Sequence, residues 1–233
     1  MMKNLENLFK KYGISLSNKQ LSQFDQYFSM LVETNKVLNL TAITEENDVA
    51  TKHFLDSVLP CDLIPASATV VDVGSGAGFP ALPLKIVRSD LQVCMVDSLN
   101  KRINFLNNVI SELQLSNTTA VHARAEDFAK NNREKFDVAV ARAVASLNTL
   151  VEYLLPLIKV GGAAIIYKSS KLSEEIQAAK KAISVLGGKI EETKNYVIEE
   201  GDLQRNVLIV RKISKTPREY PRDKNKPKLS PIA

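Results

Sequence analysis

The segment over residues 69 to 79, TVVDVGSGAGF, limits most strongly what this chain can fold into. It is a short apolar run of β-forming residues that leads into three glycines, Gly74, Gly76 and Gly78. Glycines at alternate positions let the backbone turn sharply and approach a ligand without Cβ clashes. Such a turn is typical of open parallel sheets, in which ligands bind at the carboxyl ends of the strands. The segment therefore predicts a ligand-binding unit of strand, glycine loop and helix.

The rest of the chain after residue 68 alternates between short strands and helices, as expected when helices cover both faces of a parallel sheet. We predict strands at 69–73, 91–97, 118–122, 136–141 and 162–168, and helices near 80–88, 99–114, 146–158 and 172–186. Two more strand-like runs, at 189–197 and 206–213, predict an antiparallel hairpin at the sheet edge. The predicted fold class is α/β, with a doubly wound, Rossmann-like sheet.

The N-terminal part has a different pattern. Apolar residues recur at helical spacing between Leu5 and Leu38, with a break at Gly13 and a plausible N-cap at Ser17. We therefore predict an α-helical extension over residues 1–64 and a main α/β domain over residues 65–213.

The last residues carry most of the positive charge. Of the formal net charge of +5, residues 211–233 contribute +6 and the remainder −1. The segment has four prolines and few large apolar residues, so we predict a flexible basic tail over residues 214–233. A basic tail suits contact with the phosphates of a nucleic acid, but it also suits a solvated terminus that keeps the protein soluble.

Composition indicates a cytoplasmic protein. No apolar stretch approaches the roughly 20 residues that span a bilayer, and the N-terminus lacks the apolar core of a signal peptide. The two cysteines, Cys61 and Cys94, suggest neither a disulfide framework nor a zinc site. We expect a monomer that binds neither a metal nor a membrane.

The glycine spacing discriminates between two cofactors. A dinucleotide fingerprint requires its third glycine at position 79, where this chain has Phe79. Asp72, just before the loop, would repel a pyrophosphate, whereas it would favour the ammonium and sulfonium groups of S-adenosylmethionine. We therefore predict S-adenosylmethionine as the cofactor, bound by Asp72, the three glycines and Phe79.

Acidic residues follow the next two strands. Asp97 ends the second strand, where a carboxylate can bind ribose hydroxyls, and Ala125 and Glu126 follow the third, where they can meet an adenine edge. Alternatively, Asp97 caps the next helix, and Glu126 with Asp127 starts a solvated helical turn. Three such residues at the ends of successive strands favour a cofactor site.

Several motifs together resemble the small-subunit (16S) ribosomal RNA guanine-N7 methyltransferases, also called glucose-inhibited division protein B. The resemblance covers nearly the whole chain and includes Asn39-Leu40-Thr41, HFLDS over 53–57, DVGSGAGFPALPLKI, Asp97-Ser98 with Lys101-Arg102, Ala125-Glu126, Phe136-Asp137, Arg142-Ala143 and Tyr220-Pro221-Arg222. One departure is Ala81, where family members usually have Gly. The resemblance implies a class I methyltransferase fold, S-adenosylmethionine as cofactor and 16S rRNA of the small ribosomal subunit as partner.

The resemblance also implies roles for individual residues. Gly74, Phe79, Ala125, Glu126 and Arg142 are expected to contact the cofactor or to line its pocket. Arg142 follows the fourth strand, at the mouth where the acceptor base must enter, and it is the expected catalytic residue. The alternative for Arg142 is a surface pair with Asp137 or Glu126.

Five further residues are candidates for RNA contacts: His53, Lys101, Arg102, Lys168 and Arg222. Each also has an ordinary structural interpretation, as a packed histidine or a solvated cation.

Motifs that are missing also inform the reaction. The fourth strand is followed by neither the Asn/Asp-Pro-Pro-aromatic run of amino-group methyltransferases nor the cysteine of cytosine-C5 enzymes. Guanine N7 carries a lone pair and no proton, so it needs neither a base nor a covalent nucleophile, and alignment suffices. Other interpretations are a methyltransferase that acts on another RNA, a small molecule or a protein, and a non-catalytic RNA-binding or assembly factor.

Overall fold

The computed structural model describes residue 2 and residues 4–142, 144–168, 172–201 and 203–232. Ala143, part of the Arg142-Ala143 motif, lies outside the described residues.

A seven-stranded sheet forms the centre of the molecule. Its strands are β1 Thr69–Val73, β2 Gln92–Asp97, β3 Thr118–His122, β4 Phe136–Arg142, β5 Ile158–Lys168, β6 Gly188–Ile198 and β7 Leu203–Lys212. Their order is β3-β2-β1-β4-β5-β7-β6. Strands β1 to β5 pair in parallel, and β7 runs antiparallel between β5 and β6. The order confirms the doubly wound sheet and places the glycine loop where strand order reverses, between β1 and β4.

Helices cover both faces of the sheet. They are α1 Leu5–Lys11, α2 Asn18–Leu38, α3 Glu46–Asp48, α4 Asp56–Val58, α5 Ala81–Val87, α6 Asn100–Glu112, α7 Ala125–Asn131, α8 Leu147–Leu154, α9 Leu172–Val185 and α10 Lys226–Leu229. A π-helix, Val49–Leu55, joins α3 to α4, and 3₁₀-helices span Cys61–Leu63, Leu155–Leu157 and Glu199–Gly201. Within the described ranges, no helix is long and apolar enough to cross a membrane.

The N-terminal helices share the core of one sheet face. Ser17 forms a capping box with Gln20, which starts α2 where the sequence predicts it. Phe24 and Tyr27 on α2 are fully buried against Phe54 of the π-helix, with ring centroids 4.9 and 5.2 Å apart. The Tyr27 hydroxyl donates to the carbonyl of Ala77 in the glycine loop at 2.6 Å. The predicted helical extension thus packs directly against the loop.

The C-terminal segment, residues 214–232, differs from the flexible tail that its composition predicts. The Arg222 guanidinium donates to both carboxylate oxygens of the buried Glu152, at 2.9 and 2.7 Å. Arg133 donates to the carbonyl oxygens of Thr216 and Tyr220, and the Thr149 hydroxyl donates to that of Pro227 at 3.0 Å. Polar contacts therefore order the segment, and a prediction that counts only apolar burial cannot detect them.

Candidate active site at the glycine loop

The glycine loop after β1 is shaped for close approach. Gly74 has a positive φ of 76°, and a Cβ there would lie 2.8 Å from the Val144 side chain. Gly78, with φ of 104°, would bring a Cβ within 2.4 Å of Leu82. Any side chain at either position would strain the backbone and collide with its neighbours. The loop therefore presents bare backbone between two cavities.

The first cavity, of about 520 Å³, lies at the ends of β1 to β3, and we call it the acidic pocket. Its lining includes four predicted cofactor residues and two residues from the C-terminal segment: Gly74, Asp97, Ala125, Glu126, Asn225 and Lys228. The two residues from the C-terminal segment are unexpected, because nothing in the sequence associates them with the loop.

Asp97 holds the glycine loop in place. Its Oδ2 accepts hydrogen bonds from the Gly76 N–H at 2.9 Å and from Arg102 Nη1 at 3.2 Å, and its Oδ1 accepts from the Leu99 N–H at 2.9 Å. A carboxylate oxygen can accept about two hydrogen bonds, so Oδ1 keeps one position for a ligand. The N-cap of α6 is Leu99, and the helix has no side-chain cap hydrogen bond among the described residues. Asp97 therefore supports the turn before α6 and, contrary to the alternative, does not cap the helix.

Glu126 is buried beside the C-terminal segment. It is 4% exposed, lies 3.9 Å from Arg124 Nη1 and faces the Asn225 N–H at 3.4 Å. The solvated turn considered as the alternative therefore fits the exposed Asp127 but not Glu126.

The second cavity, of about 570 Å³, lies on the other side of the loop, and we call it the arginine pocket. Its lining includes predicted cofactor and RNA residues together with residues that the prediction lacks: Thr41, His53, Asp56, Gly76, Phe79, Arg102, Arg142, Lys168 and Arg205. Gly74 and Arg102 line both pockets.

Arg142 occupies the centre of a hydrogen-bonded cluster. Its Nη1 donates to Asp56 Oδ2 at 2.7 Å and to the Lys52 carbonyl at 3.2 Å, and its Nη2 donates to His53 Nδ1 at 3.2 Å. The guanidinium also lies 5.1 Å from the centre of the Phe79 ring. Its partner is thus Asp56, and not Asp137 or Glu126 as in the alternative.

His53 packs between the loop and the pocket. Its ring stacks on Phe79 with centroids 4.4 Å apart, and its Nε2 lies 2.8 Å from the Thr41 hydroxyl oxygen. Burial, assisted by the charge of Arg142, lowers the His53 pKa to about 4. The imidazole is therefore neutral near pH 7, and both ring nitrogens are engaged.

Asp56 and Arg205 are site residues that the sequence prediction lacks. Asp56 is buried and accepts from Arg142 on one oxygen and from Arg205 Nε on the other, at 2.9 Å. A weak signal for Asp56 is its place in the HFLDS motif, three residues after His53, which puts both on one helical face. Arg205 comes from β7 and has no such signal.

Four candidate residues line neither pocket. Asp72 is fully buried, its carboxylate has no hydrogen-bond partner among the described residues, and burial raises its pKa to about 8. A neutral Asp72 cannot act through charge as the sequence argument expects. Gly78 packs on Leu82, Lys101 donates to the Leu38 carbonyl at 3.2 Å, and Arg222 is held by Glu152.

Comparison with known proteins places the chain in a family. Residues 20–207 match the GidB family model, described as rRNA small subunit methyltransferase G. The chain is 46% identical to ribosomal RNA small subunit methyltransferase G of Lactobacillus johnsonii, over 95% of each chain. It is 47% identical to the Staphylococcus aureus protein of that name, over 98% of this chain and 97% of the relative. In fold it resembles P. horikoshii TYW2 in complex with MeSAdo, with 17% identity, a TM-score of 0.54 and coverage of 68% and 62%. The sheet order, the two pockets and this similarity along almost the whole chain show that the protein belongs to the rRNA small subunit methyltransferase G family.

Proposed function

We propose that this protein transfers the methyl group of S-adenosylmethionine to N7 of a guanine in the 16S rRNA of the small ribosomal subunit. The observation that carries the proposal is the pair of pockets that share the glycine loop through Gly74 and Arg102. The acidic pocket holds the buried carboxylates of Asp97 and Glu126, and three cations also line it: Arg102, Arg124 and Lys228. The arginine pocket holds Arg142, His53 and the Phe79 ring, together with the carboxylates of Asp56 and Glu175. The two pockets meet at Gly74 and Arg102, where the methyl carbon of a donor in the first would have to contact N7 of a base in the second.

The acidic pocket fits the donor. A Cβ at position 74 would collide with the Val144 side chain, which also lines this pocket, so glycine is needed where the loop forms the pocket wall. Asp97 keeps a free acceptor position for a ribose hydroxyl. Glu126, in the first turn of α7 after β3, adds a second buried carboxylate. When bound there, S-adenosylmethionine supplies an electrophilic methyl group on its sulfonium.

The arginine pocket fits the acceptor. The N7 lone pair forms the new bond to the methyl carbon, and the electrons of the broken carbon–sulfur bond return to sulfur. No proton moves in this step, which agrees with a His53 that is neutral and has both nitrogens engaged. The pocket contributes orientation and positive charge instead.

The cations around the arginine pocket suit an RNA backbone. Arg205 is one of them, with its side chain 26% exposed, and the exposed Lys101 lies nearby on the same helix as Arg102. Contacts of this kind position a nucleic acid, while the base edge carries its identity. Lys168 is less available, because it donates to Glu175 and to the Ala145 carbonyl at 2.7 and 2.8 Å.

The test is methyl transfer with labelled donor to free 16S RNA, to intact 30S subunits and to total cellular protein, followed by mapping of the modified base. We expect label at N7 of one guanine in 16S RNA or in the subunit. Label only in other RNA would favour a different RNA substrate, and binding of 16S RNA without any transfer would favour an assembly factor. Label only in protein would overturn the proposal.

A further inference from the structure

The hydroxyl of Thr41 has a defined hydrogen-bond polarity. Arg142 Nη2 lies 3.2 Å from His53 Nδ1, and a guanidinium only donates, so Nδ1 must be the acceptor. A neutral imidazole then carries its hydrogen on Nε2. This Nε2–H faces the Thr41 hydroxyl oxygen at 2.8 Å and donates to it.

A second donor fills the other lone pair of the same oxygen. The Ile43 backbone N–H donates to Thr41 Oγ1 at 3.1 Å. A hydroxyl has one hydrogen and two acceptor positions, so only the hydrogen remains unused. Among the described residues none accepts it, and Thr41 is half-buried and lines the arginine pocket. Thr41 therefore offers a ligand one donor and no acceptor.

The geometry points to Thr41 as the residue that selects guanine, by donating its hydroxyl hydrogen to O6 of the acceptor base. This inference rests on the proposed function. Guanine presents N7 and O6 as acceptors on one edge, whereas adenine presents N7 and an amino donor there. N7 must keep its lone pair for the methyl group, so recognition of this edge falls on O6. Because both lone pairs of Thr41 are occupied, it has nothing to offer the adenine amino group.

Arg142 and His53 act through Thr41 in this scheme. Arg142 fixes the tautomer of His53, and the tautomer fixes the direction of the Thr41 hydroxyl. The Asp56 carboxylate, 2.7 Å from Arg142 Nη1, holds the guanidinium in the position that this chain of hydrogen bonds requires. Arg142, His53 and Asp56 are therefore positioning residues for the Thr41 hydroxyl.

The first test needs only the wild-type protein. The guanosine that it methylates is mapped, and RNA is then prepared with 2-aminopurine riboside at that position, which keeps N7 but has hydrogen in place of O6. We expect kcat/KM for methyl transfer to fall about tenfold, as for the loss of one hydrogen bond. Equal transfer to both substrates would overturn the inference alone, whereas no transfer to guanosine would overturn the proposed function as well.

The second test uses Thr41→Val, with Thr41→Ser as the control that keeps the hydroxyl. Compared with the wild type, Thr41→Val should have about tenfold lower kcat/KM on the guanosine substrate and an unchanged kcat/KM on the 2-aminopurine substrate. Thr41→Ser should keep the wild-type preference for guanosine. The dissociation constant for S-adenosylmethionine should match the wild type in both variants. Thr41→Val should unfold at a lower temperature than Thr41→Ser, because His53 Nε2–H and the Ile43 N–H lose their acceptor. A Thr41→Val protein that still prefers guanosine as strongly as the wild type would show that Thr41 only packs. If this variant does not fold, the wild-type comparison decides.

Discussion

The two ends of the chain each complete one of the two pockets, and they are anchored by different forces. The N-terminal helices bring Thr41, His53 and Asp56 to the arginine pocket. The C-terminal segment brings Asn225 and Lys228 to the acidic pocket. The shared loop belongs to the sheet, so the sheet alone would hold two incomplete cavities.

The anchors differ in kind. Phe24, Tyr27 and Phe54 fix the N-terminal helices through fully buried aromatic packing, which depends little on salt. Arg222 and Glu152 fix the C-terminal segment through a charged pair and neighbouring carbonyl contacts. We therefore expect the arginine pocket to be as stable as the core, whereas the C-terminal side of the acidic pocket can be loosened locally without unfolding the sheet.

The largest expected effect comes from removing the aromatic anchor. Phe54→Ala should lower the free energy of unfolding by about 3 to 5 kcal/mol, because it empties a fully buried site. Urea unfolding measures the change. Val37→Ala, at a position that is 80% exposed on α2, is the control and should shift the value by less than about 0.5 kcal/mol. Equal effects of the two substitutions would mean that the helices do not share the core.

The next largest effect concerns chemistry on the acceptor side. Arg142→Lys should lower kcat/KM for methyl transfer about a hundredfold, since lysine cannot bind Asp56 and His53 with one planar fork. The dissociation constant for the donor should stay within about twofold, because the arginine pocket lies on the other side of the loop. Arg218→Lys, an exposed position on the C-terminal segment, is the matched control. Donor binding that weakens as much as transfer would place Arg142 with the cofactor instead.

A smaller effect is expected on the donor side. Glu152→Gln leaves the Arg222 charge without its partner, so the segment should detach part of the time and donor affinity should weaken about tenfold. Calorimetric titration with S-adenosylmethionine in the absence of RNA measures this. Asp223→Asn breaks only an exposed pair with Lys130 and should change affinity less than twofold. Unchanged affinity in Glu152→Gln would show that the segment does not close the acidic pocket.

The last effect lies beneath the loop and depends on pH. The folded protein keeps a proton on Asp72 up to about pH 8, while the unfolded chain loses it near 3.8. The free energy of unfolding must therefore fall as pH rises between these two pKa values, because the folded state binds one more proton than the unfolded chain. Asp72→Asn removes that dependence, so its advantage over the wild type in urea unfolding should be small at pH 5 and largest at pH 8.

The exposed Asp127→Asn is the control for this pH series and should run parallel to the wild type. A constant difference between Asp72→Asn and the wild type across the range would indicate an ionised Asp72 in the folded state.

Local patterns predict the sheet and much of the acidic pocket. The glycine loop follows β1, Asp97 ends β2, and Glu126 lies in the helix after β3. Strand ends in a parallel sheet meet at one edge. The arginine pocket depends on contacts between distant segments, such as the bond of Asp56 to Arg205, 149 positions apart. The C-terminal segment is ordered by a glutamate 70 positions away. In each of these pairs, the charge pattern of the sequence indicates two solvated surface residues, so the sequence alone cannot show that they contact each other.

Gly74 and Arg102 line both pockets, so under the proposed function we expect donor binding and RNA binding to be thermodynamically linked. If the donor tightens RNA binding by some factor, RNA must tighten donor binding by the same factor. The affinity for S-adenosylmethionine measured without RNA then differs from the affinity in the RNA complex by this same factor. In the proposed reaction the sulfur loses its positive charge and the guanine gains one, so the coupling between the two pockets differs for the substrates and the products. Under the proposed function we therefore expect RNA to change the affinity for the methyl donor and the affinity for its demethylated product by different factors.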